Sequence, residues 1–347
     1  MNEFVLPLED CASAPLSLVG GKAAGLGQAL AAGFDVPPGF VVTTRPFSGA
    51  TATAGRELVP ALDASGDDAT LDHLVQLISA AKLDDLSEAV RAAYGRLGGE
   101  DVPVAVRSSS VSEDGEEVSF AGQYDTVLSV RGIEDVLRRV VDCWASTFRA
   151  HVQEYSDWLG TDAPGHMAVV VQQMVPAEAA GVMMTVDPVS GDRSQVLIEA
   201  CHGLGCALVG GQVTPDRYAV DKVTSEFRSI TIADKDRAAY VGMPDAEVAW
   251  VGVPASERTQ PAISTEEALR LAYLGRDIER ALGGPQDVEW AVTGPEQPRR
   301  IHVLQVRAET SWCRRPRTIA AGGQRLIERM VGQMVPRERP GGDRDDA

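Results

Sequence analysis

The stretch 104–130, VAVRSSSVSEDGEEVSFAGQYDTVLSV, constrains this chain more than any other. Two β-like runs, 102–107 and 124–130, flank residues 108–123, which are rich in Ser, Glu, Asp and Gly. Connections of that length inside a compact domain are either functional or disordered. Here the loop starts after an arginine and returns through Phe-Ala-Gly-Gln-Tyr-Asp-Thr to packing residues, which argues for function. Small hydroxyls, free backbone N–H groups and a guanidinium at the base suit a polyphosphate. A solvated hairpin connection is the alternative that the segment alone leaves open.

Composition narrows the partners. At 347 residues the chain can bury a large core and fill more than one domain-sized unit. Apolar residues make up 44% and charged ones 24%, as in ordinary globular proteins. A net charge of −18 argues against nucleic acid or an anionic membrane as partner. An anionic ligand would then need a local basic pocket, so individual Lys and Arg residues carry the weight. The acidic start, MNEFVLPLEDC, reads as lacking a secretory signal, and no apolar run reaches membrane-spanning length. Five scattered cysteines without CxxC spacing read as reduced thiols in a cytoplasmic protein.

Along the chain, Gly20-Gly21-Lys22 precedes a helix-forming run that lasts to Gly33, and Pro37-Pro38-Gly39 turns into a strand at 40–44. A glycine turn opening a helix offers N–H groups and a positive dipole end beside Lys22, although a plain helix start explains it equally well. Residues 51–98 and 133–159 have helical spacing, with Trp144, Phe148 and Trp158 expected in the core. Strands are expected at 167–174, 181–186, 195–200, 218–220 and 227–232, and a loop or insertion at 233–261. Ser264 and Glu267 form a capping-box pattern, opening a helix to about Leu282. Strands 288–292 and 300–306 follow, then a tail from Ser311 in which only 319–334 has helical potential. This order predicts an α+β fold with antiparallel strand pairs.

Two further clusters carry chemistry. Alternation on a strand places Asp287 and Glu289 on one face, and Gln305 and Arg307 on one face of the next. Paired through the turn at 293–297, they would gather two carboxylates, an amide and a guanidinium. Carboxylates at i and i+2 suit Mg²⁺ when phosphate oxygens fill its other positions, and Arg307 could neutralise charge on a transferring phosphoryl group. An ordinary cross-strand salt bridge is the other reading. The run VVVQQMVP at 169–176 suits an adenine slot, but equally a buried core strand.

In this order, LVGGKAAGLG, VPPGFVVTT, the 104–130 stretch, VVVQQMVPAEAAGVMMTVDPVSGD, EACHGLGCALVGGQVTPDRYAV, PQDVEWAV and LQVRAET resemble one family. It is the ATP-binding domain of the phosphoenolpyruvate synthase and pyruvate phosphate dikinase family, over roughly residues 15–310. The resemblance implies an ATP-grasp fold with lobes 1–190 and 191–310; residues 311–347 read by composition as an Arg/Pro/Gly-rich tail, either partner-docking or disordered. It implies ATP phosphate contacts from Lys22 and Arg107, and a cover formed by Ser108, Ser109 and the loop to Thr126. Gln172, Gln173, Met174 and Val175 would line the adenine pocket, with Glu199 on the ribose side. Asp287 and Glu289 match Mg²⁺-facing carboxylates, and Gln305 and Arg307 residues beside the β- and γ-phosphates. Asp187-Pro188 and Thr214-Pro215-Asp216 match segments that shape the cleft.

Two departures stand out. Cys206 occupies a position that is commonly acidic, and no Gly-Gly-x-Thr-Ser-His-like segment is present to relay phosphate. His202 lies in a family motif but reads as structural. The resemblance therefore implies the ATP-binding subunit of a two-component phosphotransferase. Its β,γ-diphosphate acceptor would be a histidine on a partner subunit, which then phosphorylates a small hydroxyl such as a phenol or cresol, with AMP and phosphate released. A nucleotide-binding regulatory protein without transfer chemistry, or a self-contained small-molecule kinase, are the alternatives.

Overall fold

The computed structural model describes residues 3–47, 84–110, 126–151, 167–242, 248–295, 298–309 and 312. Met1–Glu309 form one compact unit and Thr310–Ala347 a second, of which only Trp312 is described. The expected helical stretch at 51–83, the body of the 108–123 loop, Trp158 and the helix at 319–334 lie outside the described residues; of Phe148 only the backbone is described.

Strands β1 (Val5–Pro7), β2 (Gly39–Val42), β3 (Val104–Ser110), β4 (Thr126–Val130) and β5 (Met167–Gln173) make one sheet, ordered β1-β2-β5-β3-β4. A second sheet contains β6 (Ala179–Met184), β7 (Gln195–His202), β8 (Asp216–Asp221), β9 (Phe227–Thr231), β12 (Gln286–Thr293) and β13 (Arg300–Ala308). Its order is β13-β12-β6-β7-β8-β9. Every neighbouring pair in both is antiparallel, as the strand pattern predicts. The chain passes from the first sheet to the second between Gln173 and Ala179, since β6 pairs with β7 and β12.

Alternation decides what each face buries. Val104, Val106, Val169 and Val171 pack under α2 (Asp84–Gly95) and α3 (Ile133–His151), where Trp144 is fully buried. The opposite face of β5, with Val170 and Ala168, shares a core with α1 (Leu16–Ala31), α5 (Thr265–Leu282) and the β12 residues Val288, Trp290 and Val292. One helix thus belongs to both halves, and the two sheets stand close enough to leave a cleft.

Residues 233–261 are not simply a loop: β10 (Arg237–Val241) and β11 (Val248–Gly252) pair as a hairpin. Alanine-rich, weakly periodic segments hide strands whose burial comes from one neighbour only. Leu204 N–H donates to Ala239 O at 2.7 Å, tying this hairpin to the turn before the short α4 (Cys206–Val209). A buried ion pair anchors its base: Lys235 Nζ lies 2.5 Å from Asp216 Oδ1, and both side chains are inaccessible. Asp216 also accepts from Ala233 N–H and Ala262 N–H at 2.9 and 2.8 Å, the further bonds such a pair needs.

α5 begins as its sequence predicts. Ser264 Oγ accepts from Glu267 N–H and the Glu267 carboxylate accepts from Ser264 N–H, while Gly283 ends the helix in the left-handed conformation. Burial opposes the Glu267 charge, but Arg299 donates to both oxygens at 2.6 and 2.8 Å and holds the carboxyl below its usual range. No helix among the described residues is long and apolar enough to cross a membrane.

Arg299→Ala is expected to cost about 3–5 kcal/mol in urea unfolding, since it strands a buried carboxylate. Because the folded Glu267 value is depressed, the pair's stabilisation is complete above the unfolded carboxyl range and fades as pH falls through the folded value. The difference between wild type and variant should therefore shrink in acid.

Candidate nucleotide site

The cleft between the sheets holds a cavity of about 200 Å³ and is walled mainly by apolar groups, among them Leu128, Met174, Val175, Ala180 and Leu204. Arg107, Thr126, Gln172, Gln173, Glu289 and Gln305 supply its polar positions. A second cavity of about 200 Å³ is lined by Lys22 and Arg307, and Gln305 lines both. Two bulges shape the first wall. Val106 faces Val127 and Val104 faces Val130, so Leu128 and Ser129 oppose the single residue Ala105. On β13, Leu304 is the extra residue between the Glu289–Gln305 and Trp290–Val303 pairs. Bulges turn side chains that a regular ladder would aim elsewhere.

Arg107 is 8% exposed and donates across the cleft through one nitrogen. Nη1 lies 3.2 Å from Leu304 O, 3.3 Å from Gln305 Oε1 and 3.5 Å from Glu289 Oε2. Its Nε is buried without a partner. A guanidinium so placed retains unused donor capacity in a dry wall, which suits an anionic ligand.

The expected pairing of the last strands is present: Asp287 faces Arg307 and Glu289 faces Gln305. Arg307 Nη2 lies 3.2 Å from Asp287 Oδ2. Burial pushes the Asp287 carboxyl above its usual value, and Arg307 offsets this only in part. Among the described residues no group of three or more His, Cys, Asp and Glu could hold a metal. Asp287 and Glu289 would fit Mg²⁺ as a pair of ligands, its other positions being filled by phosphate and water oxygens.

The region around Lys22 is built differently from the sequence expectation. β3 runs on through Ser110, so Ser108 and Ser109 are buried strand residues rather than the start of a cover. Ser109 Oγ donates to Val19 O at 2.9 Å and accepts from Ala23 N–H at 3.3 Å. Gly20 interrupts α1 with φ +73°, and a Cβ there would lie 2.0 Å from Ser109 O. The helix start beside Lys22 is therefore capped by the protein itself. Lys22 Nζ donates to Ser108 O at 2.9 Å, on the residue next to Arg107 in the same strand. Neither serine lines either cavity, and Ser108 Oγ is buried without a partner.

Glu199 also departs from expectation. It shares a cross-strand row with Val182 and Glu289, but its carboxylate takes Arg217 Nε at 2.8 Å and does not line the cleft. Cys206 does line it, and burial raises its thiol, so the position offers no anionic ligand. His202 is half-buried and held toward the neutral form by burial and by Lys235. The bulged Leu128 and Leu304 escaped sequence reading because a bulge leaves no residue-type signature here.

An apolar slot with amides at one side and a cationic end defines a nucleotide-site class of domain. Residues 16–325 match the family described as the pyruvate phosphate dikinase AMP/ATP-binding domain, and the chain belongs to it. The phosphoenolpyruvate synthase of Aeropyrum pernix is 41% identical over 254 residues, covering 69% of this chain and 31% of that protein. A rifampicin phosphotransferase of a Streptomyces species is 42% identical over 250 residues, covering 69% and 29%. The prodigiosin synthesizing transferase PigC of Serratia marcescens is 42% identical over 218 residues, covering 62% and 24%. The chain thus spans about a third or less of the length of these relatives.

Asp287→Asn should raise thermal stability at neutral pH. A folded value above the unfolded one means that this carboxyl's contribution to stability falls as pH rises through that interval. Melting curves from pH 4 to 8 should accordingly diverge toward neutrality, with the variant higher.

Proposed function

We propose that this domain binds Mg-ATP on an ATP-grasp-type fold and passes the β,γ-diphosphate to a histidine. The observation that carries the reading is the convergence of Arg107, Glu289 and Gln305 on the polar end of an apolar cleft. Gln305 connects that end to the cavity of Lys22 and Arg307. The adenine would lie against Met174, Val175, Gln172 and Gln173. Its phosphates would run past Arg107 toward Lys22 and Arg307, and Thr126 would approach them from the cleft wall. Mg²⁺, held by Asp287 and Glu289, would neutralise phosphate charge.

The chain's own part is positional and electrostatic. Lys22, Arg107 and Arg307 orient the phosphates and stabilise the charge spread over the transferring group. An imidazole nitrogen attacks the β-phosphorus, and the α,β-bridging oxygen leaves with AMP. Water then removes the terminal phosphate as inorganic phosphate and leaves phosphohistidine. Among the described residues His202 and His302 are held elsewhere. His302 Nε2 lies 2.9 Å from Thr293 Oγ1, with Asp35 on the other ring nitrogen. We propose a partner subunit as the carrier of the receiving histidine. The relatives that modify small molecules support a small hydroxyl as final acceptor, for which we propose a phenol or cresol type.

Calorimetry with Mg-ATP tests binding. Chromatographic detection of AMP, with histidine-domain proteins added one at a time, tests transfer. Arg107→Ala and Glu289→Ala should each lower AMP formation about 10²–10³-fold, as expected for lost charge stabilisation in a water-poor site. Wild-type turnover in either would overturn the assignment. AMP and phosphorylated product from this chain alone would point instead to a self-contained kinase.

A further inference from the structure

Ser129 is the one non-glycine residue among the described strands of the first sheet with a left-handed backbone, at φ +59°. It sits second in the β4 bulge, directly after Leu128, whose side chain lines the cleft. Strained residues in strands persist only where their surroundings hold them, and they gather at functional sites. Here the surroundings are specific. Ser129 N–H points at Met174 Sδ at 2.9 Å, and Ser129 Oγ accepts from Gly242 N–H at 3.2 Å. The residue is 7% exposed.

We propose that Ser129 is a positioning residue for the base-binding part of the cleft. It does so by fixing Leu128 and Met174, and by tying β4 to the end of β10. The inference rests on the nucleotide reading above and extends it from the phosphates to the base. Three features agree. The bulge is what aims Leu128 inward, since regular pairing would assign it by alternation. The amide contact holds the thioether of Met174, a side chain otherwise free to change rotamer. Through Gly242, the hydroxyl joins the first sheet to the hairpin that carries Ala239, which receives Leu204 N–H on the far side of the same cleft. Ser129 thus sets the spacing between the two apolar walls without touching the ligand itself.

Three variants of the full chain separate positioning from general stability. Ser129→Val cannot adopt the left-handed backbone without severe strain. Ser129→Gly keeps that backbone easily but removes the hydroxyl. Ser129→Asn tolerates it and keeps a polar acceptor. Calorimetry with Mg-ATP and Mg-GTP should show about tenfold weaker ATP binding in Ser129→Val, or about 1.4 kcal/mol. The preference for ATP over GTP should narrow in parallel. Ser129→Gly should show a smaller loss of the same preference, and Ser129→Asn should restore it. Wild-type affinity and preference in both Val and Gly variants, with circular dichroism confirming the fold, overturns the proposal. If Ser129→Val does not fold, the Gly and Asn pair decides by the same criterion. A wild-type chain that binds neither nucleotide instead overturns the function reading from which this inference starts.

Discussion

A buried guanidinium is tolerable only when acceptors meet it, and Arg107 finds all of its acceptors on the opposite sheet. Leu304 O, Gln305 Oε1 and Glu289 Oε2 each lie within 3.5 Å of one nitrogen. Leaving that cation unpaired in a dry wall would cost several kcal/mol. The contact pins β3 against β12 and β13, which sets the width of the cleft, while Nε stays buried without a partner.

Around that pin the cleft divides by polarity. Apolar side chains released by two bulges take one end, and Lys22, Arg307 and Gln305 take the other. A flat ring and a polyanion have opposite solvation needs, which two adjoining cavities of this kind would meet. Strongly acidic overall composition does not prevent this, because the cations are local and partly shielded from solvent.

The region around Lys22 also shows how a fold reuses a motif. A glycine turn before a helix is a ready anion site, but Ser109 already occupies the donor at Ala23 and the acceptor at Val19. The turn holds Lys22 against the strand that carries Arg107. Gly20 makes the approach possible, since a side chain there would collide with Ser109 O.

Much of this was legible in the residues. Alternation put Asp287 with Glu289, and Gln305 with Arg307, on shared strand faces, because side-chain period two leaves little choice of face, while the bulge at Leu304 set the two pairs opposite one another. The Ser264–Glu267 box announced α5, and uncharged Val-rich runs announced buried strands. Local chemistry determines such features. Tertiary structure alone decided the rest: that Ser108 and Ser109 lie inside a strand, that Glu199 is engaged by Arg217, and that residues 237–252 contain a hairpin. It also set the two bulges and the left-handed Ser129. Each depends on contacts between segments far apart in the chain, where the energy of burying or pairing a group overrides its local preference. Sequence named the groups that could meet a nucleotide, and packing determined which of them face the cleft.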